Sequence, residues 1–139
     1  GRRTLTLAAR EASIVGLVPR ARRDGGGLDL ADLSDAATRE KLAWVRAAAG
    51  DRFGSLELNA LIQAAVVGEP RAAAADRLGA RFKVAREVVL ESPYVTLGTV
   101  GEICETLRER RERYGISYLT VFERDMEAFA PVVERLAGT

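Results

Sequence analysis

Three apolar runs separated by stretches of helical period constrain this chain more than any other feature: SIVGLV at 13–18, SLELNALIQAAVV at 55–67 and ISYLTVF at 116–122. The middle run alternates, with Leu56, Leu58, Ala60, Ile62 and Ala64 on one side of an extended chain and Glu57, Asn59, Leu61 and Gln63 on the other. Strands that alternate with helices return to one sheet by right-handed crossovers and lie parallel, so the expected class is α/β. A parallel sheet needs cover on both faces. Three strands with their helices therefore read as a piece of something larger.

The intervening segments carry their own stop and start signals. Residues 3–11 place Leu5, Ala8 and Ala9 at helical spacing, Pro19 ends the first strand, and 20–33 is a loop containing Gly25, Gly26 and Gly27. Ser34 is expected to cap a helix running to Ala49, with Gly50 at its end. Pro70 opens an Ala-rich helix to Phe82, and a short helix at 84–91 is stopped by Pro93. Thr99 and Glu102 form a T-x-x-E capping box for a helix with Ile103, Leu107 and Tyr114 on one face, Gly115 at its end and a Glu109–Arg113 pair outside. Asp125 is expected to cap the last helix, to Leu136, which Pro131 kinks or confines to a later start.

Composition removes several kinds of chemistry. The 139 residues suit one domain, and no apolar run approaches the ~18 residues of a membrane span. A net charge of +1 supplies no long-range field for nucleic acid or anionic lipid. The absence of His removes His-dependent triads and most zinc sites, and Cys104, the only cysteine, excludes internal disulfides and CxxC redox pairs. Of the 21 basic residues only Lys41 and Lys83 are lysines, a bias expected of a GC-rich bacterial genome. No signal-peptide pattern follows Gly1, so a cytoplasmic location is expected, with Gly1 at a processing or truncation boundary.

In parallel α/β proteins ligands meet the C-terminal ends of strands, which here selects Arg20, Gln63 and Glu123 with its neighbour Arg124. Their alternative reading is that of solvated loop residues. Gly25–Gly27 lacks the strand-to-helix register of a phosphate loop and reads as flexible. Gly98-Thr99-Val100-Gly101 opens a helix whose free N–H groups suit an anion, although capping already explains Thr99 and Glu102. Arg20, Arg22 and Arg23 lack interleaved aromatics for stacking on bases, RERRER at 108–113 reads as a salt-bridged exposed face, and Cys104 reads as a buried structural thiol.

Three segments, GRRTLTLAAREASIVGL (1–17), SPYVTLGTVGEICETLRERRERYGISYLTVF (92–122) and DMEAFAPVVERLAG (125–138), together resemble the C-terminal half of luciferase-like monooxygenases, in the branch of deazaflavin-dependent oxidoreductases. The resemblance covers most of the chain and is weakest at 20–34 and 68–91. It implies the C-terminal half of a (β/α)8 TIM barrel, from its fifth to its eighth helix, with the three runs as barrel strands 6, 7 and 8. It also implies a deazaflavin coenzyme, or FMN, whose phosphate meets Gly1, Arg2, Arg3 and Thr4 at a helix N-terminus, and a small-molecule substrate undergoing hydride transfer opposite Arg20, Gln63 and Glu123. The first five strands of the family, with most ring contacts and the usual acid/base residues, have no counterpart here. The resemblance therefore implies a partner that supplies them. The alternative is a non-catalytic half-barrel that self-associates or covers a partner's sheet.

Overall fold

The 55–67 run forms two strands rather than one. In the computed structural model, which describes residues 1–138, the chain runs α1 (Arg2–Glu11), β1 (Ile14–Leu17), α2 (Asp35–Ala49), β2 (Glu57–Leu61), β3 (Ala64–Val67), α3 (Arg71–Phe82), α4 (Arg86–Glu91), β4 (Val95–Gly98), α5 (Val100–Tyr114), β5 (Ile116–Thr120) and α6 (Met126–Leu136). Strands β1, β2 and β5 make one parallel sheet in that order, and β3 pairs with β4, also parallel, in a second. The exchange of partners falls at two successive amides: Ile62 N donates to Thr120 O at 2.8 Å, and Gln63 N donates to Tyr94 O at 2.8 Å.

The expected α/β class with parallel strands and flanking helices is present, with two departures in strand count. The 55–67 run divides where its hydrogen-bonding neighbour changes: burial alternates through Ile62 and becomes uniform over Ala64–Val67. The 95–98 segment is a strand buried at every position, so it has no polar-out residue to reveal a period of two.

Register places Val15, Leu17, Leu58, Ala60 and Ile116 on the face of the three-stranded sheet that packs under α1, α2 and the end of α5. Ile14, Gly16, Glu57, Asn59, Leu61, Tyr118 and Thr120 fall on the opposite face, with Ile14 and Tyr118 47% and 44% exposed. On that face Asn59 Nδ2 donates to Tyr118 O at 3.2 Å and to Thr120 Oγ1 at 3.0 Å. The β3–β4 sheet is covered on both sides: Ala64, Val66, Val95 and Leu97 pack with α3 and α4, and Ala65 and Val67 with α5 and α6.

Helix ends follow local chemistry, with two exceptions. Ser34 Oγ accepts from Ala37 N, Gly50 and Gly115 take positive φ, and the Thr99–Glu102 capping box is complete. Asp125, expected to cap α6, makes no side-chain cap bond and sits at αR dihedrals after a 3-10 turn, Glu123–Asp125. Pro131 lies inside α6, which starts at Met126 without a delayed onset.

The 108–113 face is not wholly exposed. Arg110 is buried, and Arg113 pairs at 3.1 Å with Asp35 across the helix interface rather than with Glu109. Asp35 also accepts from the Tyr114 hydroxyl and from Arg39 Nε. Burial raises the Asp35 carboxyl, but these bonds outweigh it and hold it below the usual carboxylate value. Burial and the bond to Asp35 push Tyr114 up to about 12. This folded value lies above the ~10 of an unfolded tyrosine. The resulting stabilisation is complete below pH ~10 and lost as pH rises from there through about 12. In an alkaline titration read at the tyrosinate band, one of the three tyrosines is expected to ionise near pH 12, and Tyr114→Phe to abolish that late step.

Candidate functional site

Because α1 runs antiparallel to β1, its N-terminus lies at the C-terminal end of that strand. Gly1, Arg2 and Thr4 there meet Gly16 and Val18 from β1 and its end, Arg20 from the following loop, and Lys41 and Trp44 from α2 around a cavity of about 110 Å³. No side chain caps α1 and no acidic residue occupies its first turn, so the N–H groups of Arg2, Arg3 and Thr4 have no intrahelical acceptor. The helix dipole adds partial positive charge at the same point. The Arg2 guanidinium stands 5.8 Å from the centre of the Trp44 ring.

Behind the cavity lies a buried polar network. The Lys41 and Asp32 side chains are each only 4% exposed, with Nζ 2.6 Å from Asp32 Oδ2. Lys41 Nζ also donates to Asp32 O at 3.3 Å and to the Tyr94 hydroxyl at 3.4 Å, which Thr38 Oγ1 meets at 3.4 Å. Arg20 completes the set: its backbone N–H donates to Asp32 Oδ2 at 2.7 Å, and its Nε lies 3.2 Å from Asp32 Oδ1. Arg20 Nη2 also lies 3.5 Å from Asp29 Oδ2, so two carboxylates balance these two cations, and the charge left over beside the uncapped helix end is that of Arg2. An uncapped helix N-terminus beside one arginine can receive an anion.

Tyr94 is positioned from the far side. Arg110 donates from Nη2 to Ser92 O at 2.7 Å and to Val95 O at 2.8 Å, and from Nη1 to Pro93 O at 3.4 Å. Burial pulls this guanidinium down to about 10. The Tyr94 carbonyl in turn receives Gln63 N.

The expected site residues do not gather in one place. Gly1, Arg2, Thr4 and Arg20 share the cavity, whereas Arg3 is exposed outside its lining. Gln63 lines a separate cleft with Arg124 and Asp125, and its Nε2 donates to Leu61 O at 3.1 Å. Glu123 lines neither and is exposed in the 3-10 turn, while Arg124 stacks on Phe122 at 4.3 Å instead of pairing with Glu123. The other loops satisfy themselves: Asp24 Oδ1 accepts from Gly26 N at 2.9 Å, and Glu102 Oε2 accepts from Thr99 N at 2.7 Å. An anion at 98–101 would have to displace that carboxylate. At Gly98 a side chain is strained by φ +123°, and its Cβ would also displace Glu102 Oε2, 2.8 Å away, from the cap.

Lys41, Asp32, Trp44, Tyr94 and Arg110 are absent from the sequence-based candidates. For Lys41 a signal existed, since it sits among Thr38, Leu42, Val45 and Ala49 on the inward face of α2, where a lysine needs a buried acid. Cys104 is buried between α5 and α6. Among the described residues no group of three or more His, Cys, Asp or Glu side chains is placed to hold a metal ion, and no helix is long and apolar enough to cross a membrane. The sequence matches no model of a known protein family and no curated protein.

Proposed function

We propose that this chain is the C-terminal portion of a luciferase-like, deazaflavin-dependent oxidoreductase, contributing strands 6 to 8 of a (β/α)8 barrel and an anchoring corner for the phosphate of the coenzyme. The observation that carries this reading is the three-stranded sheet. Its parallel strands follow chain order, β1-β2-β5, without the reversal of a doubly wound sheet, and helices cover only one face. Both outer edges end beside cavities: the α1 corner at β1, and a groove of about 280 Å³ lined by Ile116, Leu119, Phe129 and Val132 at β5. Further parallel strands on those edges, closed into a barrel, would enclose the bare face.

The corner fits a phosphate. In this reading the first-turn N–H groups of α1 and the Arg2 side chain bind it, Lys41 and Arg20, charge-balanced by Asp32 and Asp29, line the corner behind them, and Trp44 supplies an apolar wall. When bound, the deazaflavin supplies the hydride chemistry, and this chain orients it. FMN presents the same phosphate chemistry and is the alternative coenzyme.

Fluorescence titration of the deazaflavin coenzyme and of FMN, into the chain alone and into its mixture with the N-terminal half of a family barrel, tests the proposal. Saturable deazaflavin binding, weaker for FMN and weakened about tenfold by Arg2→Glu, is expected. No saturation by the deazaflavin in either preparation would overturn the reading. The free edges also favour a second reading, a non-catalytic half-barrel that self-associates. Its signature is a stable dimer in light scattering with no affinity for either coenzyme.

A further inference from the structure

A third open edge lies away from the barrel-type sheet. Strand β3 pairs with β4 on one side only. Its other side faces a cleft of about 690 Å³ between α3 and the start of α6. Five consecutive residues, 63–67, line this cleft, and none of β4 does. Successive side chains of a strand point to opposite faces, so a continuous run reaches one cavity only through its backbone edge. Alternate residues along such an edge direct their N–H and C=O groups outward, where another strand can bond them.

The usual protections of a strand edge are missing here. Ala64, Ala65, Val66 and Val67 are small or β-branched and half-buried, with no Lys or Pro among them. The walls carry charge instead. Arg77 is held by Glu69 at 2.8 Å, and Arg124 lies 3.7 Å from Asp125. Among the described residues no carboxylate pairs with Arg81, whose guanidinium stands 5.8 Å from the Phe82 ring. The cleft therefore has a surplus of positive charge. It also holds an acceptor with room for a donor: Asp125 Oδ2, the atom 3.7 Å from Arg124 Nε, is buried without a hydrogen-bond partner.

We propose that this cleft docks an extended acidic peptide segment, which adds as a third strand to β3–β4 through backbone hydrogen bonds and sets alternate carboxylates against Arg81 and Arg124. A four-residue strand is roughly 13 Å long, so a segment of four or five residues fills the edge. Backbone pairing supplies the affinity and the arginines select the charge, the division of labour in other peptide readers that extend a sheet. Asp125 accepts an N–H from the incoming chain. The proposal is independent of the coenzyme reading above.

The test uses a fluorescein-labelled octapeptide of alternating Val and Glu, read by anisotropy against the folded chain, with backbone amide shifts recorded in parallel. Saturable binding at about 1 mM or below is expected, with the largest amide shifts at 63–67. N-methylation of every second peptide nitrogen, which removes strand pairing and keeps the charge, is expected to weaken binding at least tenfold. Arg81→Glu, an exposed change that leaves the fold intact, is expected to weaken it about tenfold, and the Val–Lys peptide is expected not to bind. Equal binding of the N-methylated peptide would overturn the proposal, as would the lack of saturation by the Val–Glu peptide or shifts confined to the edges of β1 or β5.

Discussion

Asp32→Leu is expected to destabilise the chain by about 3–5 kcal/mol, lowering the melting temperature by about 10–20 °C, because it leaves the Lys41 ammonium buried without its acid. The geometry supports a value at the high end. Lys41 Nζ keeps the Asp32 carbonyl at 3.3 Å and the Tyr94 hydroxyl at 3.4 Å, both long for a charged donor, with the Tyr94 ring at 5.2 Å, and loses the 2.6 Å carboxylate contact. Arg20 loses its two contacts to Asp32 in the same change and keeps only those to Asp29, so the loop after β1 is held less tightly. Urea unfolding of Asp32→Leu, Lys41→Met and the double variant measures the coupling. Removing both charges is expected to recover about 2 kcal/mol or more relative to Asp32→Leu alone, since an apolar pair leaves no uncompensated charge. Additive losses would show that the pair does not couple.

Arg110→Met is expected to cost about 2–4 kcal/mol, through the loss of donors to three carbonyls that remain buried. Methionine keeps much of the packing of the stem, so the loss reports the guanidinium rather than a cavity. The energy at stake is a balance: burial of this cation costs stability, which its bonds to Ser92, Pro93 and Val95 offset. Lysine at this position is expected to restore little, because one ammonium lacks the fork that reaches three carbonyls. The effect should not stay local. Residues 92–95 carry Tyr94, so amide hydrogen exchange is expected to accelerate at Gln63 and through 92–95 in Arg110→Met. Exchange confined to α5 would show that Arg110 does not position the segment.

Arg110 also marks where sequence reading stops. Lys41 sits on an apolar helix face that flags it, whereas Arg110 looks like a solvated charge because RERRER alternates sign as an exposed surface does. What turns Arg110 inward is a cluster of carbonyls from residues 92–95, more than a dozen positions away, and no local pattern encodes it. The same holds for the expected substrate face. Arg20, Gln63 and Glu123 each follow a strand in the chain, yet the partner exchange at 62–63 carries Gln63 to a different cleft from Arg20.

Local chemistry determined much of the scaffold. The Ser34 cap, the Thr99–Glu102 box, the glycines at positions 50 and 115 and the alternation through Leu58, Ala60 and Ile62 act within one helical turn or one pleat, so neighbouring residues suffice to specify them. Tertiary structure alone decided which edge each strand presents, which face of the β1-β2-β5 sheet stays bare, and which charges become buried. Those outcomes depend on long-range hydrogen-bond partners and on the desolvation of side chains, and both are set by residues distant in the chain.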